Sequence, residues 1–377
     1  MMETETELAA GSGLAITCER QAFVEALSTV SRAVSSRTNV HVLAGVLLRP
    51  HGEGLELAAT DMELSLRTTV AAEVEGDGAV VVPGRLLTDV ARLLPAASVS
   101  LAYRPEEGVA QLTSGSYTSR LNVYDPADFP RLPAVDVSLQ TVDAAGLLAA
   151  IQDVSRAASR DESRPVLTGI LVRFEGPSLV MAATDSYRLA VRETTLSAPG
   201  PELEAIIPAR ALAELVRLAG GQETISIGVN ENHVVFGVGG VWLTTRRIDG
   251  QFPNYKQLLP ETFEAELELP RDELRGIVKR AAVMAQRNTP LRLRFAEGEL
   301  TVSARSQDVG ETSESMPAPY TGEPLEIGFN AEFLADGLES VSGDTVQLKL
   351  INPLRPGLIS APGETFSYLI MPIRLAG

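Results

Sequence analysis

One passage recurs three times along this chain, and its spacing constrains everything else. Each copy reads as a short amphipathic helix, a strand closed by a tight turn, a second short helix, and further strands. The first copy runs FVEALSTVSRAVSSRTNVHVLAGVLLRP (23–50), ELAATDMELSLR (56–67) and VPGRLLTDVARLLP (82–95). The second runs LLAAIQDVSRAASRDESRPVLTGILVRF (147–174), VMAATDSYRLAVR (180–192) and IPARALAELVRLAG (207–220). The third runs ELRGIVKRAAVMAQRNTPLRLRF (273–295), ELTVSARSQDV (299–309) and FNAEFLADGLESV (329–341). Asp61 and Asp185 are 124 residues apart, and Pro83, Pro208 and Asn330 follow at intervals of 125 and 122. Solenoid repeats recur every 20 to 50 residues or so, whereas this interval is the length of a domain. The chain therefore reads as three copies of one domain.

The Pro-rich stretches FPRLP (129–133) and FPNYKQLLP (252–260) occupy matching places and mark the seams, because proline ends strand ladders and stiffens linkers. The expected division is a loose acidic tail over 1–13, then domains over 14–134, 135–260 and 261–377. A length of 377 residues with 45% hydrophobic residues supplies three cores. Cys18 is the only cysteine, which excludes an intrachain disulfide and a cysteine-built metal site. Neither a signal peptide nor a membrane span is recognisable, so the expected location is the cytoplasm.

Helical periodicity predicts six short helices. Their apolar stripes are Phe23, Leu27, Val30 and Val34; Leu86, Val90 and Leu93; Leu147, Ile151, Val154 and Ala158; Leu212, Leu215 and Ala219; Leu274, Ile277 and Ala281; and Leu334, Leu338 and Val341. Alternating strands with Gly, Asp and Asn turns lie between them. Each repeat is expected to be an α+β domain, with two helices covering one face of an antiparallel sheet.

A residue two positions from a core residue lies about 200° round the helix, on the far face. Arg32, Arg92, Arg156 and Arg217 stand that way, joined by Arg160 and Arg210. Arg271, Arg275 and Lys279 stack at four-residue steps. The sixth helix departs from this pattern with Glu332, Asp336 and Glu339. The net charge of −17 argues against nucleic acid only if charge is spread evenly. Five basic helix faces on an acidic chain would instead suit a phosphate backbone, without reading its sequence.

Chemistry-bearing motifs are missing. Lys256, Lys279 and Lys349 follow no P-loop glycines, GVGGVW does not fit a dinucleotide loop, and no nucleophile elbow occurs. His41, His51 and His233 show no ligand spacing. No cofactor or metal is expected. An enzyme on a three-repeat scaffold is the alternative of another class.

The pair ATDMELSLR and ATDSYRLAVR, the FPNYKQLLP linker, GFN at 328–330 and the terminal YLIMPIRL (368–375) together resemble the β subunit of bacterial DNA polymerase III, the sliding-clamp family. The resemblance runs from about Leu14 to Leu375. It implies three clamp domains per chain and a head-to-tail dimer closing a six-domain ring. Basic helices would line a hole for duplex DNA, and the ring would be a processivity factor rather than an enzyme. It also implies a pocket where the replicative polymerase, the clamp loader and repair and ligation proteins insert short, mostly apolar motifs. Carried over by motif, that pocket takes Leu167, then Thr184, Ser186, Tyr187, Arg188 and Leu189 from the turn. Pro253, Gln257 and Leu258 come from the linker, Asn330 and Phe333 from the sixth predicted helix, and Leu354 and Pro356 from a late loop. The tail supplies Leu369, Ile370, Met371, Pro372, Ile373 and Arg374.

For the ring interface the resemblance implies Tyr117, Ser119 and Leu121 facing Val283 and Met284. For DNA it adds Arg37 and the loop 161–166, where Arg160 and Arg164 stand beside Pro165 and Val166. Ser186, Tyr187 and Gln257 occupy variable pocket positions. A specialised duplicate clamp resisting a pocket-binding peptide inhibitor is therefore the nearer alternative.

Overall fold

The computed structural model describes residues 13–35, 40–135, 137–285, 289–306 and 310–375. Residues 1–12 of the predicted tail and Arg37 fall outside them. Seven α-helices occur among the described residues: α1 (Arg20–Val30), α2 (Gly84–Arg92), α3 (Ala144–Ser155), α4 (Pro165–Thr168), α5 (Ala209–Leu218), α6 (Arg271–Met284) and α7 (Ala331–Ser340). Six are the predicted ones. The extra helix, α4, is a single turn in the loop 161–166 and the residues after it. It starts at Pro165, whose fixed φ and missing N–H suit the first position of a helix.

Side-chain caps recur at helix starts. Glu19 accepts from the backbone N–H of Gln21 and Ala22 at 2.8 and 2.6 Å, Asp143 from Gly146, and Asn330 from Phe333. Each satisfies donors the helix itself leaves open. Five predicted stripes are buried at every helical position. The stripe on α2 is shifted by one residue: Leu87, Ala91 and Leu94 are buried, while Leu86 and Leu93 face solvent. Gly84 fixes this register by packing closely on Val34 and Val46, which places the next inward positions one turn and two turns on.

The chain forms two compact units, one of residues 1–141 with 217–246, the other of 142–216 with 247–377. They do not follow the repeats, because sheets are shared between repeats. In unit 1 the long strand Leu64–Glu75 of repeat one pairs antiparallel with Val241–Arg246 of repeat two, Ser65 opposite Thr244. In unit 2 the strand Arg188–Thr195 of repeat two pairs with Phe366–Ile370 of repeat three, Leu189 opposite Leu369. The corresponding strand of repeat three, Gly310–Pro317, is the edge of a four-stranded sheet in unit 2. The counterpart of Val241–Arg246 in repeat one, Tyr117–Asn122, is an edge in unit 1.

Each unit has an apolar cluster beneath its linker. Phe129 joins Val42, Leu43, Leu47, Ala58, Ala79 and Val81 in unit 1. In unit 2, Phe252, Leu259 and Phe263 cover Leu171, Val180, Ala182, Leu189, Val191, Leu358, Leu369 and Tyr255. The proline-flanked phenylalanine is therefore an anchor as well as a seam. Burying such a ring contributes roughly 1.5–3 kcal/mol.

Candidate functional site

The Thr-Asp pair builds the turn that organises unit 2. Thr184 Oγ1 donates to Arg188 O at 2.6 Å and accepts from Ser186 N at 3.1 Å. Asp185 Oδ1 accepts from the N–H groups of Tyr187 and Arg188 at 2.9 and 3.0 Å. These bonds hold Ser186 at φ +82°, a left-handed conformation that costs a non-glycine residue energy. The turn throws Tyr187 outward, 61% exposed. Repeat one builds the same turn with Thr60, Asp61 and Met62, the last at φ +79°.

Arg188 points the other way, into the protein. Its Nε donates to Asp185 Oδ2 at 3.0 Å, and its Nη1 to Asp336 Oδ2 at 2.5 Å and to the Tyr368 hydroxyl at 3.3 Å. Its guanidinium carbon lies 4.2 Å from the centre of the Phe333 ring. Burial alone would weaken its charge, but Tyr368 and Asp336 more than offset that and hold its pKa above the ordinary value. Tyr368 is pushed up by burial and donates to Phe333 O at 2.9 Å. Arg188 thus locks the turn to α7 and to the C-terminal strand.

The tail continues that strand. Leu369 and Ile370 are buried, and Met371 N then donates to Tyr187 O at 2.9 Å and Ile373 N to Gly328 O at 2.8 Å. Pro356 precedes Gly357, which pairs with Ile370. Asn352 Oδ1 accepts from Leu354 N at 2.9 Å and shapes the late loop. Leu167 is buried at α4, and Arg164 Nη1 donates to Ser186 Oγ at 3.0 Å. Turn, tail, late loop and α7 are thus tied together by hydrogen bonds, and the linker joins them through the packing of Phe252, Tyr255 and Leu259. Tyr187 and Met371, made neighbours by that backbone bond, stand exposed as an apolar shelf, and Leu258 of the linker and Leu354 of the late loop are exposed too. Gln257 is exposed, and Pro253, Phe333, Pro372 and Ile373 are half-buried. Arg374 is exposed at the end.

The basic positions are more heavily paired than their spacing suggests. Arg156 reaches Asp336 at 3.4 Å and Glu339 at 3.6 Å. Lys279 meets Glu339 at 2.5 Å, with Arg275 at 4.0 Å from the same carboxylate. Lys279 chiefly holds the Glu339 pKa below its usual value. Arg271 donates to Val341 O and pairs with Asp272. The acidic α7, the exception among the predicted helices, is therefore the counter-charge to Arg156, Arg188, Arg275 and Lys279. Asp336 and Tyr368 as partners of Arg188 are not legible in sequence; for Asp336 the one signal is the acidic i, i+3 pair it makes with Glu339. Arg160 is exposed, and Arg92, on a helix of unit 1, bonds the Ser28 hydroxyl; neither has an acidic partner among the described residues. Arg32, Arg210 and Arg217 are exposed.

Of the interface positions, Tyr117 is exposed on the edge strand of unit 1. Leu121 is already buried in its own core, and Ser119 Oγ is buried without a hydrogen-bond partner. In unit 2, Val283 is 80% exposed and the Met284 side chain lies beside Gly310 at the start of the other edge strand. No group of three or more potential metal ligands occurs among the described residues, and no helix there is long and apolar enough to cross a membrane.

Three family models match in order: the DNA polymerase III β subunit N-terminal domain over residues 14–133, its central domain over 141–254 and its C-terminal domain over 256–374. The chain belongs to the DNA polymerase III β subunit family. It is a sliding clamp of three clamp domains. The beta sliding clamp of Streptomyces coelicolor is 36% identical over 377 residues, covering 96% of this chain and all of the relative. The crystal structure of the Bacillus subtilis DNA polymerase sliding clamp superposes with a TM-score of 0.91 at 27% identity, covering 96% of this clamp and all of that chain. A Pseudomonas aeruginosa sliding clamp bound to griselimycin superposes at 0.88 with 28% identity, with the same coverage.

Proposed function

We propose that two copies of this clamp join head to tail into a six-domain ring around duplex DNA, and that the Tyr187–Met371 shelf tethers replication proteins to it. The observation that carries the ring is the pattern of shared sheets. Repeat one pairs with repeat two, and repeat two with repeat three, each through equivalent strands. That series leaves one strand of each kind unpaired, Tyr117–Asn122 and Gly310–Pro317. An unpaired edge is a template for another chain. Joining the first kind of edge to the second is a heterologous contact, which closes when the rotation suits. Tyr117 on one edge and Val283 with Met284 beside the other supply apolar surface for that contact.

Domains over 14–134, 135–260 and 261–377 then repeat round the ring. Arg32, Arg92, Arg156, Arg160, Arg164, Arg210, Arg217, Arg271, Arg275 and Lys279 face the DNA. Contact is to phosphate and independent of sequence. Arg92 and Arg160 weigh most, since Arg156 and Lys279 already have carboxylate partners. Retention rests on topology, so the clamp acts without catalysis, in the cytoplasm.

The shelf fits short apolar motifs of the polymerase, the clamp loader and repair and ligation proteins. The Met371 side chain adapts to varied apolar groups, and a few fixed polar groups orient the peptide. Peptide inhibitors of the pocket would compete there. The test is retention on DNA. The clamp, loaded enzymatically on a nicked circle, should co-elute with it in gel filtration and be released when the circle is cut. Tight binding to a short open duplex without a loader would overturn the topological reading.

A further inference from the structure

Unit 1 contains the repeat-one counterpart of the shelf, and there the surface closes around a cavity of about 630 Å3. The correspondence is backbone for backbone. Met62 takes the left-handed conformation of Ser186. Arg246 N donates to Glu63 O at 3.0 Å, as Met371 N does to Tyr187 O. Ser65 pairs with Thr244 as Leu189 pairs with Leu369. Asn230 caps the neighbouring loop through the N–H groups of Asn232 and His233, as Asn352 does in the late loop. The linker residues Pro130 to Ala134 line one wall.

The side chains differ in kind. Where the shelf has Leu189, Leu369, Met371 and Tyr187, the cavity has Ser65, Thr244, Arg246 and Glu63. Thr244 is 1% exposed, lines the cavity, and its Oγ1 has no hydrogen-bond partner. A buried hydroxyl left in that state is unfavourable and is relieved by a polar group entering the cavity. Arg131 lines the same wall, exposed, with no carboxylate partner among the described residues. Arg131 and Arg246 are the cationic side chains of the lining, beside the acids Glu63 and Glu231. The volume falls within the range of small-ligand sites, roughly 300–1,000 Å3.

We propose that this cavity is a second peptide groove of the clamp, taking an extended segment that carries a carboxylate side chain. It extends the reading of the shelf as a peptide site. Thr244 Oγ1 bonds the incoming peptide, and Arg131 with Arg246 takes the carboxylate where the shelf takes an apolar side chain. Such a groove would let one clamp hold two kinds of segment at once.

The test uses the whole clamp and two probes carrying fluorescein on the N-terminal amine, Ala-Leu-Ser-Leu-Phe-amide and Ala-Leu-Ser-Asp-Phe-amide, followed by anisotropy. Arg131→Glu changes an exposed loop residue, and Thr244→Val is isosteric, so both proteins keep their melting temperature. Each should weaken the acidic probe by at least about fivefold, the scale of one lost polar contact, and leave the apolar probe unchanged. Met371→Lys should do the reverse. No measurable binding of the acidic probe, or binding lost in Met371→Lys and kept in Arg131→Glu, overturns the second groove. An apolar probe indifferent to Met371→Lys would sink the shelf instead, and leaves the acidic probe's dependence on Arg131 and Thr244 to decide this proposal separately.

Discussion

Arg188 Nη1 and Asp336 Oδ2 lie 2.5 Å apart, although one belongs to the repeat-two turn and the other to a helix of repeat three. Asp336 also holds Arg156, and Glu339 one turn along holds Arg156 and Lys279. A continuous chain of charges therefore runs from α6 and α3 through α7 to the turn that presents Tyr187. Arg188 is almost fully buried, so its partners decide whether its charge is tolerated.

Asp336→Ala is expected to destabilise the clamp by about 2 kcal/mol. That is less than the usual loss for a broken buried pair, because Asp185 still faces Arg188. Urea unfolding monitored by circular dichroism measures it. Arg188→Met, which removes the buried charge and keeps most of the volume, should cost less than Asp336→Ala. The opposite order would show that the pair is not what holds the turn.

The edge strands give a second prediction. Val283→Asp and Tyr117→Asp each place a carboxylate on exposed apolar surface, so neither should disturb its own unit. Both should shift light scattering from twice the chain mass toward the chain mass at micromolar concentration. Leu121→Ala is the contrasting variant. Leu121 is buried within unit 1, so its loss should lower thermal stability by the cavity cost, about 2–3 kcal/mol, before any effect on assembly. Dimers that survive both carboxylates would place the interface elsewhere.

Sequence periodicity found six helices and the faces of five, because core contacts recur at helical spacing whatever the tertiary partner. It misplaced the face of α2, where Leu86, Val90 and Leu93 make an equally regular stripe. The close approach of Gly84 to Val34 and Val46 and the bond between Thr88 and Ser31 go with the register in which Leu87 and Ala91 turn inward. The Thr-Asp turn was legible because its side chains bond their own backbone. The roles of Asp336, Glu339 and Tyr368 were not, since their partners lie between 35 and 183 residues away in sequence and most of them belong to another repeat. The sharing of sheets between repeats was likewise invisible, because a domain-length repeat says nothing about which edge meets which.

Asp153 supplies a pH dependence. It lies on α3, largely buried, 3.6 Å from Arg192, which Glu364 already engages at 2.6 Å. Burial raises its pKa from 3.8 to about 6, with Arg192 pulling it down and Glu364 pushing it up. The folded state then binds a proton more readily than the unfolded chain between about pH 4 and 6, so this group makes stability fall as pH rises through that window. Asp153→Asn should remove that slope and raise stability at pH 7.5 by about 1 kcal/mol, after allowance for partial solvent screening. Urea midpoints measured at pH 4.5, 6 and 7.5 test it. A variant less stable than the parent at pH 7.5 would mean that Arg192 needs both carboxylates.

The apolar shelf is the most exposed of the readings, and Met371 tests it. Its backbone is fixed by the bond to Tyr187 O, while its side chain is 43% exposed, so a lysine there keeps the strand and the fold. An apolar peptide anchor seated on Met371 would have to desolvate that ammonium. The cost is several kcal/mol, or roughly a hundredfold or more in affinity. Calorimetry with a synthetic apolar clamp-binding peptide reads the loss directly. The control needs care. Lys279→Glu would set a new carboxylate against Glu339, which Lys279 now neutralises at 2.5 Å, and would strain α7 behind the shelf. Arg160→Glu is cleaner, because Arg160 has no acidic partner among the described residues. It should shorten the residence of the loaded clamp on circular DNA and leave the peptide affinity as it was. If Met371→Lys remains a dimer and binds the peptide as the parent does, the shelf is not the tethering site.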